Sequence, residues 1–402
     1  MSTVRLENSI PGGSLTPPAS KSAAHRAMIC AFLAGGGSVN PITDSKDMQA
    51  TAQAIEALKN GGEICDCIES GSTLRFLIPV AAALGKTVTF VGSGKLPQRP
   101  IGDYLRLLPE HGVTCESEGG LPLTISSKLT GGRFELAGDV SSQYITGLLL
   151  ALPLLDTDSE IVLTTALQSK PYVDMTVDIL HRYGVEIAET ESGYLIKGNQ
   201  TYAVQDFTVE GDWSQAAFFL AAGAIGGDVT VSGVDINSTQ GDKEIVNVLK
   251  RFGADITVGD NAVRAKKSAL CGIELDAANI PDMVPTVAVL AAFADGTTVI
   301  KGAQRLRYKE SDRIESVVTN LKKMGVDVTE TPDGMIISGG TVKGAALDGY
   351  NDHRIVMAFA VAALFADGTT TITDSESINK SYPSFFEDYN RLGGKADVIS
   401  DR

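Results

Sequence analysis

DHRIVMAFAVAALFADGTTTITD, residues 352–374, is the stretch from which the rest of the chain can be read. Asp352, His353 and Arg354 open it, and an apolar run from Ile355 to Ala366 follows without a polar stripe. A helix with no polar face is predicted to be buried on all sides. Gly368 then breaks the helix, and Thr/Ile alternation predicts a strand. A buried helix normally begins with a small cap and then hides. This one begins with an acid, an imidazole and a cation.

Five other stretches share the design: Ala23–Leu33, STLRFLIPVAAALG at 72–85, SSQYITGLLLALPLL at 141–155, DWSQAAFFLAAGAIGG at 212–227 and PDMVPTVAVLAAFADG at 281–296. All but the one at 141–155 lead through Gly into a Thr/Val-rich strand such as TVTFVG, DVTVSG or TTVIKG. A second, more polar helix then stops at Gly, as in YLRLLPEHG, DILHRYG, NVLKRFG and NLKKMG, where Gly suits the left-handed C′ position. Short strands such as VEIAE, ADITV and VDVTE close the unit. The chain reads as six copies of one βα-type unit at a spacing of mostly about 70 residues. The first copy is shorter, and its closing strands near Cys65 read poorly.

Solenoid repeats are shorter and stack only on neighbours, whereas each of these apolar helices needs cover on every side. Two domains of three units fit the length better. Joints are expected near Ser20–Lys21 and Glu210–Gly211, which gives one discontinuous domain of 1–20 and 211–402 and one inserted domain of 21–210. The first strand, TVRLENS, has no local partner and is expected to supply the strand that the truncated sixth unit lacks.

Composition narrows the function. A formal charge of −15 argues against nucleic acid as a partner, though it leaves room for a local basic pocket. No apolar run reaches the ~18 residues of a membrane span, and no signal-peptide pattern opens the chain, so a cytoplasmic protein is expected. Five cysteines, with only Cys65 and Cys67 close together, read as free thiols in place of a disulfide framework or half of a metal site. No Walker loop, Rossmann fingerprint or zinc motif is present, so neither metal nor cofactor is expected. His111 and His181 read as surface residues before helix-ending glycines.

What stands at the six helix starts points to chemistry. They carry Lys21, Ser22 and Arg26; Gly71, Ser72 and Arg75; Ser141, Ser142 and Gln143; Asp212 and Ser214; Asp282; and Asp352, His353 and Arg354. Capping accounts for Ser20, Ser141, Asp212 and Asp352. It does not account for Lys21, Arg75 and Arg354, whose cations sit in first turns against the helix dipole. Helix starts that converge on one space between the domains would make an anion site, with Arg and Lys gripping phosphate or carboxylate. The loops add to it: RLRYKESDRI at 305–314 brings Lys309, Glu310 and Arg313, and others bring Arg99, Ser169, Tyr172 and Lys380. A solvated helix start capped by Ser311 or Asp312 is the plainer reading of RLRYKESDRI.

PASKSAAHRA (18–27), SGSTLRFL (70–77), LPQRP (96–100), DVSSQYITGLL (139–149), QSKPYVDMT (168–176), EGDWSQAAFFLAAGAI (210–225), IPDMVPTVAVLA (280–291), RYKESDRI (307–314), YNDHRIVMA (350–358) and NKSYPSFFED (379–388) follow one another in the order of a known family. Together they resemble the 5-enolpyruvylshikimate-3-phosphate synthases (3-phosphoshikimate 1-carboxyvinyltransferases) over nearly the whole chain. The resemblance implies an α/β fold of two similar domains, each of three βαβαββ units around buried parallel helices, with the ligands in the cleft between them. It implies transfer of the enolpyruvyl group of phosphoenolpyruvate to the 5-hydroxyl of shikimate 3-phosphate, by a cytoplasmic, cofactor-free monomer of the family that glyphosate inhibits.

By the same resemblance, Asp282 would take the hydroxyl proton and Lys21 and Glu310 would handle the proton at the methylene carbon, with His353 assisting. Shikimate 3-phosphate would meet Lys21, Ser22, Arg26, Ser141, Ser142, Gln143, Ser169, Tyr172, Asp282 and Lys309. Phosphoenolpyruvate would meet Lys21, Gly71, Arg99, Gln143, Arg313, Arg354 and Lys380. Two positions depart from the family pattern: Glu69 and Arg305 stand where Asn is usual. The sister transferase acting on UDP-N-acetylglucosamine would show Lys-Asn in the first motif and a reactive Cys in the loop that here reads GSGKLPQRP; both are absent. A non-catalytic clamp-like repeat protein would scatter its cations over one face.

Overall fold

The computed structural model describes residues 2–400; residues 1, 401 and 402, the outermost positions of the expected discontinuous domain, lie outside it. Each apolar run forms a helix: α1 Lys21–Ala34, α2 Gly71–Ala83, α3 Ser142–Ala151, α4 Trp213–Gly226, α5 Val284–Ala292 and α6 His353–Ala363. Side chains of Ser20, Ser70, Ser141, Asp212 and Asp352 accept first-turn N–H groups of five of them. No side chain caps α5, which continues from a 3-10 turn, Pro281–Met283. Every residue of α5 and α6 is buried. In α1, by contrast, Met28, Phe32 and Leu33 are only half-buried.

Around the helices the described strands form five four-stranded sheets and one two-stranded pair. The four-stranded pattern recurs. In one sheet Ile64–Asp66 lies parallel to Val88–Val91, which pairs antiparallel with Leu123–Ser126, and Thr114–Glu116 closes the hairpin. The Cys65 strand therefore belongs to the second unit's sheet and does not close the first unit. The first unit has no hairpin. Its Val39–Asn40 strand finds a partner far along the chain, in Phe207–Thr208. In turn Gly12–Leu15, which precedes α1, pairs with Asp228–Ser232, which follows α4. The strands ahead of α1 and α4 are thus exchanged. Ser2–Glu7 sits antiparallel between Thr370–Thr373 and Lys395–Ser400.

The chain divides into two compact units, one running up to Ala19 and again from Glu210 onward, the other spanning Ser20–Val209. In the discontinuous unit α4, α5 and α6 pack on one another within a single apolar core. No helix among the described residues is long and apolar enough to cross a membrane.

In the Ser20–Val209 unit, α2 and α3 show how a helix start is fixed. Pro79 lies inside α2 and cannot donate to the carbonyl four residues back, that of Arg75. The Tyr104 hydroxyl donates to this carbonyl instead, at 2.7 Å, and shares the same proton with Tyr144 O, the longer arm at 3.1 Å. On the α3 side Gly147 lets the backbones meet, since a Cβ there would stand 2.3 Å from both Arg75 O and the Tyr104 hydroxyl. Tyr104→Phe strips the buried carbonyl of its partner and is expected to cost about 1–3 kcal/mol. Urea melts of wild type and variant measure the difference, and an unchanged midpoint would remove the hydroxyl's role.

Candidate active site

The side chains singled out in the sequence form two sets, one in each unit. In the discontinuous unit they assemble around a guanidinium. Arg313 begins the helix Arg313–Lys323 and is 1 % exposed, and Asp352, which caps α6, is 0 % exposed. Arg313 donates from Nε to Asp352 Oδ2 at 2.8 Å and from a terminal nitrogen to Oδ1 at 3.1 Å. Ser311 adds a hydroxyl to the same carboxylate at 3.0 Å. Burial would lower the Arg313 pKa, but Asp352, Glu310 and Asp282 more than offset it and raise it.

The same terminal nitrogen of Arg313 also donates to Glu310 Oε2 at 2.8 Å, and the other terminal nitrogen donates to Asp282 Oδ1 at 3.0 Å. Asp282 is thereby drawn into a ring of cations. Arg354 donates to its Oδ2 at 3.0 Å, and Lys309 Nζ stands 3.5 Å from Oδ1. Burial pushes the Asp282 pKa up, yet Arg354, Lys309 and Arg313 prevail and hold the carboxyl well below the usual range. Arg354 also donates to Ser214, which donates to Asp212, the cap of α4. One polar network therefore ties together the starts of α4, α5 and α6.

His353 opens α6 with its ring buried, Nδ1 lying 4.0 Å from Asp352 Oδ1. Lys380 donates to Asn351 O at 2.6 Å. The cap of the Arg313 helix is Asp312, which accepts from the N–H groups of Ile314 and Glu315 and leaves Ser311 to Asp352. Arg305 donates to Ala278 O at 2.8 Å.

In the Ser20–Val209 unit, Arg26 is the organising cation. It donates to Thr176 Oγ1 at 2.7 Å, Ser22 O at 2.7 Å and Tyr172 O at 2.9 Å, and lies over the Phe76 ring. These bonds join Ser22 on α1 to the start of the helix Lys170–Arg182, whose preceding residue, Ser169, is held in a left-handed conformation. Tyr172 enters this arrangement through its carbonyl. On α3, Ser141 is the cap, Ser142 is buried, and Gln143 bridges α2 by accepting from Arg75 at 2.8 Å and donating to Ser72 at 3.0 Å.

Gly71 begins α2, and its φ lies outside the left-handed region, so no turn conformation demands glycine there. Close approach does. A Cβ would stand 2.6 Å from a terminal nitrogen of Arg99, whose guanidinium rests against the helix start. The Glu69 carboxylate lies against Gly94, in the loop between Val91 and Arg99.

Lys21 Nζ donates to Asp47 Oδ2 at 2.7 Å, a partner the sequence reading missed. It missed His25 and Thr51 as well, bonded to each other at 2.7 Å. A signal was there: Lys21 and His25 lie one helical turn apart, as do Asp47 and Thr51. Of the two histidines read as surface residues, His181 is exposed and His111 is half-buried, stacked on Phe134. All five cysteines are free, and burial pushes the Cys65 thiol up to about 11.

The fold is that of the enolpyruvyl transferases. NikO, an enolpyruvyl transferase from Streptomyces tendae, superposes with a TM-score of 0.79 over 100 % of both chains at 16 % identity, a likeness of fold alone. An EPSP synthase from Acinetobacter baumannii superposes with a TM-score of 0.82, again over 100 % of both chains, at 27 % identity. A sequence model of the EPSP synthase family (3-phosphoshikimate 1-carboxyvinyltransferase) matches residues 59–389. The 3-phosphoshikimate 1-carboxyvinyltransferase of Clostridium novyi (strain NT) is 43 % identical, covering 100 % of this chain and 99 % of that relative. That of Clostridium kluyveri is 42 % identical over 96 % of each chain. The chain belongs to the EPSP synthase family. This favours the main reading over the UDP-N-acetylglucosamine transferase and the non-catalytic clamp.

One consequence is readable by pH. Burial, then Lys21 and Arg26, hold the His25 pKa well below its ordinary value, so the ring is neutral in the fold. As pH falls below about 6.5 the unfolded chain takes up a proton that the folded chain refuses. Stability present above that pH is then lost, down to the lowered folded value. Urea midpoints should fall between about pH 7 and about pH 5, and fall less for His25→Asn. Equal falls would place the acid sensitivity elsewhere.

Proposed function

We infer that the chain catalyses enolpyruvyl transfer from phosphoenolpyruvate to the 5-hydroxyl of shikimate 3-phosphate, releasing phosphate through a tetrahedral intermediate. The observation that carries this reading is the Asp282 carboxylate ringed by Lys309, Arg313 and Arg354, in a chain matched end to end by relatives of that name. The reaction needs a base at the attacking hydroxyl and proton transfer at the methylene carbon, while two polyanions are held. Asp282 supplies the base; Lys21 and Glu310 serve the methylene carbon, with His353 at hand. Arg26, Ser22, Ser141, Ser142, Ser169, Tyr172 and Lys309 hold shikimate 3-phosphate. Gly71, Arg99, Gln143, Arg313, Arg354 and Lys380 hold phosphoenolpyruvate.

A carboxylate held by three cations is a weak base, and this reading has a physical answer. When the phosphate and carboxylate groups of the substrates engage Lys309, Arg313 and Arg354, Asp282 loses part of their field. Burial then dominates and its proton affinity climbs. Base strength arrives with the substrates. We further read the chain as cytoplasmic and monomeric, and light scattering of the purified protein would check the second.

A coupled phosphate-release assay tests the reading directly. Release should require both shikimate 3-phosphate and phosphoenolpyruvate; release with UDP-N-acetylglucosamine in place of the former would sink it.

Two variants test the assigned residues. Lys21→Met removes a cation and a proton-transfer group, and kcat should fall by roughly 10² or more. A folded variant with near-normal turnover would end that role.

Gly71→Ala drives a Cβ into the Arg99 guanidinium, the movable end of a side chain, so the melting midpoint should hardly change. Loss of a charge-assisted contact predicts phosphoenolpyruvate affinity weaker by ~10- to 100-fold. Shikimate 3-phosphate affinity should stay close to wild type. Isothermal titration with each ligand reads both, and uniform weakening would take Gly71 out of the site.

A further inference from the structure

A hydrogen-bonded chain of four side chains runs through the Ser20–Val209 unit from α1 to the start of α2. His25 Nδ1 lies 2.7 Å from Thr51 Oγ1, Thr51 Oγ1 lies 2.6 Å from Thr73 Oγ1, and Thr73 Oγ1 donates to Ser70 Oγ at 2.7 Å. None of the four residues is more than 1 % exposed. They come from three helices, α1, Lys46–Lys59 and α2, together with the cap of α2.

The last bond settles the direction of the others, because a hydroxyl carries one proton. Thr73 gives its proton to Ser70 and must accept from Thr51. Thr51 gives its proton to Thr73 and must accept from His25. The imidazole proton therefore sits on Nδ1, and Nε2 is a bare lone pair. The surroundings of Nε2 lead independently to the same tautomer. It is buried, has no hydrogen-bond partner among the described residues, and its ring meets Phe76 edge to face. A proton there would be a buried donor without an acceptor, a rarer and costlier state than an unmet lone pair.

At the far end the chain grips a helix start. Ser70 Oγ accepts twice from Thr73, from the hydroxyl and from the backbone N–H at 3.2 Å. Its own O–H is not consumed by the relay. The next residue is Gly71, with the Arg99 guanidinium against it. At the near end the relay shares its helices with an ion pair. Lys21 to Asp47 and His25 to Thr51 are successive rungs between α1 and Lys46–Lys59.

We propose that His25 is a positioning residue for the anion site at the start of α2: its Nδ1–H fixes a one-way hydroxyl relay that holds the Ser70 cap, and with it Gly71, in register with the Lys21 turn of α1. The proposal rests on the assignment of phosphoenolpyruvate to that helix start. His25 touches no substrate. It acts through Thr51 and Thr73 on the groups that do.

His25→Leu removes the donor, His25→Asn returns an amide donor near the Nδ1 position, and Thr51→Val breaks the relay one bond further on. In steady-state assays of the whole enzyme, His25→Leu should raise the KM for phosphoenolpyruvate about three- to tenfold. The KM for shikimate 3-phosphate should change little, and His25→Asn should recover most of the loss. The His25→Leu/Thr51→Val double variant should be no worse than the poorer single one, since both cut one chain. General damage to α1 would instead reach Arg26, the next residue, and raise the shikimate 3-phosphate KM at least as much. Equal rises in both KM values, no recovery by Asn, or additive losses would each overturn the proposal. Where His25→Leu fails to fold, Thr51→Val against Thr51→Ser makes the same comparison, with and without a hydroxyl. Gly71→Ala run in parallel separates the two levels. If it leaves the phosphoenolpyruvate KM unchanged, the site assignment falls and takes the relay with it; if it raises that KM while His25→Leu does not, only the relay falls.

Discussion

A guanidinium with almost no access to water holds the discontinuous unit's polar network together. Arg313 sits at a helix start, where the dipole disfavours a cation, and burial disfavours it further. Three carboxylates make the position tenable, and Asp352 contributes most, with two oxygens against two nitrogens. Removing either partner would strand a buried charge, at a cost of about 3–5 kcal/mol. The same aspartate caps α6, so the orientation of a core helix and that of a cation are one constraint. Arg354 and Asp282 extend it to α4 and α5.

The Ser20–Val209 unit solves the same problem with fewer charges. Its links between helix starts are hydroxyls, an amide and carbonyls: Gln143 between Ser72 and Arg75, Thr146 beside Thr176, and the Tyr104 hydroxyl on the carbonyl that Pro79 leaves open. Lys21 pairs with the Asp47 carboxylate, while Arg26 and Arg75 donate to hydroxyl, amide and carbonyl oxygens. Neutral groups fix position as well as ions do when fully buried and satisfied, without lowering the positive potential of the site.

The helical half of this fold was legible because its signal is local. An apolar run without a stripe, a capping residue before it and a glycine after it lie within one short window, and DHRIVMAFAVAALFADG contains all three. Strand pairing was less so. Ile64–Asp66 reads as an appendage of the helix before it, yet its hydrogen bonds go to Val88–Val91. The exchange of Gly12–Leu15 and Phe207–Thr208 leaves no local trace, since each strand is completed by a partner about 200 residues away. The site divides along the same line. Cations at apolar helix starts stand out, since packing gives no reason for them. Asp47 and Thr51 look like ordinary first-turn residues of a polar helix, and only the matched one-turn spacing with Lys21 and His25 marks them.

The different chemistry of the two sets also bears on how work is divided. In the discontinuous unit an anion arriving at Arg313 must compete with Asp282, Glu310 and Asp352 for its nitrogens, so binding there is weakened by what is already bound. Competition of that kind wastes affinity but couples occupancy to the proton affinity of the displaced carboxylates. In the Ser20–Val209 unit Arg26 and Arg75 are oriented by neutral acceptors, so an arriving anion displaces no carboxylate from them and keeps the full Coulomb gain. Gripping an anion and moving a proton call for different environments. Tight grip follows from cations held by neutral partners, and proton transfer from carboxylates whose partners can be taken away.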